Sequence, residues 1–179
     1  MSIATILSRP NLILLGRLAL FLGTVVILGW FSLVDVGRRF FVDPITSSGL
    51  AVSHFIINLF GGDAVREGAV LVGPRMLLEV KDECNGAEAI VLYTAAVVAH
   101  QARLVWKGIG LLLGVVAIWA VNSVRIVTLY AVAAVAPERL EFFHIYFWQT
   151  LIIIFVVALW YAWAAWTMRL ASSPDNRGG

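Results

Sequence analysis

Residues 106–135 read WKGIGLLLGVVAIWAVNSVRIVTLYAVAAV, and in that run only Lys107 and Arg125 carry charge. About 20 apolar residues suffice for a helix to cross the ~30 Å hydrocarbon core of a bilayer, and this run exceeds that length. Composition extends the reading to the whole chain: of 179 residues, 61% are hydrophobic and 13% charged, with a mean hydropathy of +0.91. A soluble domain of that size cannot hide so much apolar surface, so the bilayer is the solvent for most of it. Four or five spans of ~20 residues use up the length. The expectation is one integral membrane domain over 1–179, an all-α polytopic bundle of four to five helices.

Working outward from 106–135, a further helix is expected over 144–170, followed by a polar tail, 172–179, expected to be disordered. Upstream, 86–101 reads as a helix, and 12–33 as an uncleaved first span without an A-x-A-like site after it. The stretch 45–60 follows Asp43-Pro44 and is short for a span, so it reads equally as a crossing or as an interfacial helix. Between residues 61 and 83 the character changes. Charges collect there, and two short apolar runs, Ala69–Val72 and Met76–Val80, flank Gly73-Pro74. That pattern predicts a β-hairpin in the longest aqueous connection, ahead of the lone cysteine, Cys84.

Orientation comes from the short connections. His100, Arg103 and Lys107 lie in one without an acid, whereas Glu138, Arg139 and Glu141 in the next sum to −1. The positive-inside rule puts the first in the cytoplasm and the second outside. The net charge of +2 is spread between apolar runs, which speaks for topology and against a nucleic-acid surface.

Counting spans then brings three reactive side chains to one depth. Cys84 precedes a helix descending from the outer surface. Arg125 lies eighteen residues beyond the inner-end Lys107, ~27 Å of helix. His144 opens the last descending helix. A thiol beside a cationic or basic partner is a competent nucleophile. His144 is placed to take its proton and return it to a leaving amine, and Arg125 to stabilise the oxyanion.

Each residue also has a plainer explanation. A lone cysteine in a membrane protein is usually an apolar filler, although Cys84 stands in the polar setting Lys81-Asp-Glu-Cys-Asn-Gly86. An interfacial histidine is usually an anchor. A charge within a span costs at least ~2.5 kcal/mol, which makes Arg125 the strongest functional candidate, with a structural ion pair to Glu88 or Glu141 as the alternative. Asn122 shares its helix face and is placed to satisfy the guanidinium; Glu88 is one turn past Cys84. His54 and His100 read as structural. No H-E-x-x-H or G-x-S-x-G motif occurs, a single cysteine with scattered histidines argues against zinc, and no cofactor is implied.

The run Glu83-Cys84-Asn85-Gly86, then Asn122-Ser-Val-Arg125-Ile126, then His144 resembles the exosortase/archaeosortase family over roughly residues 61–170. The short length and the run His144–Gln149 resemble its compact exosortase H subgroup. Asn85 stands where members more often have serine. The resemblance implies a membrane cysteine peptidase-transpeptidase with Cys84 as nucleophile and Arg125 and His144 as its partners, and Asn122, Asn85, Gly86 and Glu88 supporting them. It implies substrates that are membrane-anchored proteins with a C-terminal sorting signal of motif, transmembrane helix and basic tail, cleaved at the extracytoplasmic face of the cytoplasmic (inner) membrane. Two rivals remain open: a non-enzymatic membrane protein with Arg125 as a structural charge, and a hydrolase using Glu88 or Asp82.

Overall fold

The computed structural model describes residues 9–74, 76–80 and 85–172. It is mostly helical. Helix α1 (Arg9–Leu33) leads into α2, whose three consecutive pieces cover Asp35–Gly37, Arg38–Val42 and Asp43–Leu59. A three-stranded antiparallel sheet follows: β1 (Val65–Glu67), β2 (Val70–Gly73) and β3 (Met76–Glu79), in that order. Then come α3 (Ala87–Ala99), α4 (Leu104–Val135) and α5, which opens with Phe142–Trp148 and continues over Gln149–Ser172.

The hairpin read from the sequence is β2–β3, with Leu71 opposite Leu78 and Gly73 opposite Met76. Strand β1 is an addition, closed onto β2 by Gly68-Ala69 with Gly68 at φ +63°. The sheet buries Leu71 and, with Val80, packs against Leu50 and Ile57 of α2 and Ile126 and Tyr130 of α4.

Helix α2 starts nine residues before Pro44 instead of after it. Proline has no N–H and its ring crowds the carbonyl four residues back, which normally ends a helix. Here the turn Arg38–Val42 is a π-helix, and the N–H of Asp43 reaches the Arg38 carbonyl. The widened turn accommodates the ring, so the helix passes through the proline.

Helix α3 is the centre of the bundle. Its 13 residues are ~20 Å long, and it buries most of its circumference, leaving only the stripe of Glu88 and Leu92 exposed. Ala89, Ile90, Tyr93 and Val97 pack with Ile118 and Leu129 of α4 and with Trp148, Ile152, Trp163 and Ala164 of α5. The Tyr93 ring lies so close to Gly114 that any Cβ there would overlap it, and its hydroxyl donates to the Gly110 carbonyl at 3.0 Å. Helix α1 packs on α3 from the other side, with Leu14, Val26, Ile27 and Trp30 exposed.

Four helices are long and apolar enough to cross a membrane: Asn11–Leu33, Asp35–Leu59, Leu104–Val135 and Phe142–Ser172. Their mean hydropathies are 2.3, 1.3, 2.1 and 2.1, so α2 is the least apolar. Its neighbours set it apart further. Arg38 and Val42 share a cavity with Asn85 and Glu88 at the start of α3, while Ile57 packs near Tyr130 towards the end of α4. The start of α2 therefore lies where α3 begins, and its end lies further out, beside the last turns of α4. At the opposite end, Ile13, Gly16 and Arg17 of α1 meet the α3–α4 connection and Ala171 of α5. Charge divides in the same way. Arg17, Arg103, Lys107 and Arg169 lie at that second, basic end, while every acid among the described residues lies towards the first, together with Arg38, Arg39, Arg66, Arg125 and Arg139.

Candidate functional site

The site is built where α3 begins against the upper half of α4. Asn85 is 2% exposed, and its Oδ1 accepts the Ala87 N–H at 2.9 Å, satisfying one of the donors that a helix start leaves open. Gly86 follows at φ +82° and ψ 0°, a left-handed conformation suited to glycine. A Cβ there would lie 3.1 Å from Cγ and 3.2 Å from Cβ of Asn122. The turn that opens α3 is thus pressed onto the Asn122 face of α4.

On α4, Asn122, Ser123 and Arg125 are buried, at 4%, 3% and 3% exposure. A guanidinium held that far from water requires partners, and neither Asn122 nor Arg125 is without an interaction. Glu88 and Glu141 do not supply an ion pair: among the described residues the only salt bridge is the exposed Arg139–Glu138 contact. Glu88 is exposed and faces a cavity of about 630 Å³ shared with Ser32, Arg38 and Asn85.

His144 is half-buried within the π-helical opening of α5, Phe142–Trp148, and it too has an interaction partner. Its neighbour Phe143 packs on the cluster that holds Ala89 and Ile90 of α3 and Leu129 of α4. The segment carrying His144 therefore packs on the same hydrophobic core as α3 and α4. Cys84, with Lys81, Asp82 and Glu83, lies outside the described residues.

No sequence pattern marks Ser53 as part of the site. Fully buried on α2, it donates from Oγ to the Ser123 carbonyl at 3.1 Å, and Ser123 in turn donates to the Trp119 carbonyl at 3.0 Å. This joint fixes α2 beside Asn122 and Arg125. A serine in an apolar helix was the visible signal, but serines also bond back along their own helix, as Thr46 does to Val42. His54 Nε2 lies 3.0 Å from the Ala64 carbonyl, beside the Asn58 amide, which also bonds Ala64. His100 lies edge-on to Trp160 and Trp163, with Nε2 3.4 Å from the Thr167 hydroxyl.

Asn85 has a donor left over. Asn85 Nδ2 is buried and has no hydrogen-bond partner among the described residues. Groups of that kind are rare in folded proteins and call for an explanation.

Neither the curated proteins nor the solved structures contain a match to this sequence. A family model described as transmembrane exosortase (Exosortase_EpsH) matches residues 2–164. With nearly the whole chain matched and several apolar helices in the fold, the protein is a multi-pass membrane protein, and it belongs to the transmembrane exosortase family.

Proposed function

We propose that this chain is a membrane-embedded cysteine peptidase-transpeptidase that cleaves C-terminal sorting signals of exported, membrane-anchored proteins. The observation that carries the reading is the seating of Gly86 on Asn122. It holds the residue next but one after Cys84 against the helix face from which the buried Arg125 projects.

In the reaction, His144 takes the proton of the Cys84 thiol, and the thiolate attacks the scissile carbonyl carbon. The negative charge that develops on the carbonyl oxygen is met by the Arg125 guanidinium and by the unsatisfied Asn85 amide. The tetrahedral intermediate collapses as His144 returns the proton to the departing amine. A thioester remains, which water or a second nucleophile resolves by attack at the same carbon, regenerating the thiol.

The basic end faces the cytoplasm by the positive-inside rule, so the site opens on the extracytoplasmic side of the inner membrane. With both ends at that outer end, α2 does not cross and forms a cap with the sheet. The crossings are then α1, α3, α4 and α5, and the N-terminal residues are cytoplasmic.

Co-expression with candidate signal-bearing proteins tests the reading. Wild type is expected to release a shortened product and Cys84→Ala to leave the substrate full length. Processing by Cys84→Ala would refute it.

A further inference from the structure

At the basic end two cavities share Arg17, Ala99 and His100 and form one cleft. One compartment, of about 580 Å³, runs between α1, α3 and α5 and is lined by Leu14, Leu18, Phe21, Ile153 and Trp160. The other, of about 640 Å³, opens at the bundle end beside Arg103 and Lys107. No acid among the described residues lines either compartment.

Cations that serve only to orient a membrane protein lie in water and require no cavity. Arg17 is different. It is partly buried on an acid-free helix, and its Nε is shielded from solvent with no hydrogen-bond partner among the described residues. Lys107 is partly used, since its Nζ donates to the Val98 carbonyl at 2.6 Å and closes the end of α3. Arg17 and Lys107 both disfavour a charge on His100, after the larger effect of burial, so the three face one another across a small space. A basic peptide would be repelled there. A molecule with an anionic head and apolar tails fits both compartments at once.

We propose that this cleft binds an anionic phospholipid of the cytoplasmic leaflet, its phosphate on Arg17 and Arg103 and its acyl chains along Leu14, Leu18 and Trp160. The bound lipid would fasten α1 to α3 and α5 at the end of the bundle opposite the candidate site. The assignment is independent of the peptidase reading.

The test is native mass spectrometry with thermal unfolding of the full chain, delipidated in neutral detergent. The probes are phosphatidylglycerol, phosphatidylcholine with the same acyl chains, and inorganic phosphate. Phosphatidylglycerol is expected to be retained and to raise the unfolding midpoint above that with phosphatidylcholine, and inorganic phosphate to have no such effect. Arg17→Gln is expected to lower phosphatidylglycerol retention about fivefold and leave phosphatidylcholine unchanged. Arg103→Gln, at an exposed position, gives a second drop and decides the matter if Arg17→Gln does not fold. Equal retention of the two lipids, or phosphatidylglycerol retention unchanged in the variants that fold, would overturn the proposal. Stabilisation by inorganic phosphate equal to that by phosphatidylglycerol would assign the cleft to a soluble anion and overturn it as well.

Discussion

Replacing Gly86 by alanine separates the positioning of the site from the stability of the fold. At φ +82° an L-residue costs ~1–2 kcal/mol. The new methyl would also stand 3.1 Å from Asn122 Cγ and 3.4 Å from its Nδ2. Asn122 must then leave its preferred rotamer, at ~0.5–1.5 kcal/mol, or α3 must back away. The sum, ~1.5–3.5 kcal/mol, lies below the ~5–15 kcal/mol by which domains are usually stable, so the variant is expected to fold. Catalysis is less forgiving, because a displacement approaching 1 Å costs up to ~100-fold. Gly86→Ala is therefore expected to reduce cleavage of a co-expressed signal protein at least ~10-fold with a modest fall in unfolding midpoint. The control is Gly68→Ala, which carries the same kind of dihedral cost at φ +63° with nothing within 4 Å of its Cβ. It is expected to process normally. If Gly86→Ala also processes at the wild-type rate, the contact with Asn122 does not position the site and the reasoning fails.

Further outcomes follow from the same geometry. In a Cys84→Ala background, cysteines placed at Phe60 and Arg139 should be labelled by an impermeant reagent from outside and one at Ala102 should not; protection of position 60 would mean that α2 crosses. Val80 donates to the Ala69 carbonyl, so by alternation Leu78 also faces β2, while Leu77 and Glu79 turn their N–H groups to the open edge of β3. If the substrate adds as a strand there, Leu77→Pro should reduce cleavage with the protein still folded, whereas Leu78→Pro should damage the sheet itself; full processing by Leu77→Pro would exclude strand addition. Arg125→Lys should not restore cleavage, because a point charge does not replace a planar fork of donors, and appreciable turnover by that variant would count against the oxyanion role. Burial, with Arg17 and Lys107, holds the His100 pKa below 6.5. Below that pH the unfolded chain binds more protons than the folded one, so stability should fall on acidification from 6.5, and less steeply in His100→Gln; identical pH profiles would contradict it.

The parts of this fold that were legible in the sequence are those with a strong period or a strong breaker. The run from Trp106 to Val135 is a helix almost to the residue, and Gly73-Pro74 marks the turn between β2 and β3. Strand β1 was not legible because three residues, two of them charged, establish no alternation. Helix α2 was read as starting after Pro44, since nothing local announces the π turn that lets a proline stay inside. That both ends of α2 meet the same end of the bundle depends on Arg38 and Ile57 finding distant partners, which hydropathy does not encode. At the site, Arg125 was legible because a charge in an apolar run is costly. The contact of Gly86 with Asn122, and the bond from Ser53 to Ser123, are tertiary facts between residues unremarkable in their own segments.

The π-helical opening of α5 also fixes an angular phase. A π turn amounts to one residue more than an α-helical turn would hold, so what precedes it is rotated by about 100° relative to an uninterrupted helix. His144 lies inside this offset, while Ile152, Trp163 and Ala164 below it keep the ordinary pitch that packs them on α3. Trp148 and Phe143 of that offset opening still reach the same core, so the π turn aims His144 while the helix stays anchored on both sides of it. A residue removed from this turn would rotate Phe142–His144 by about 100° relative to the helix that follows.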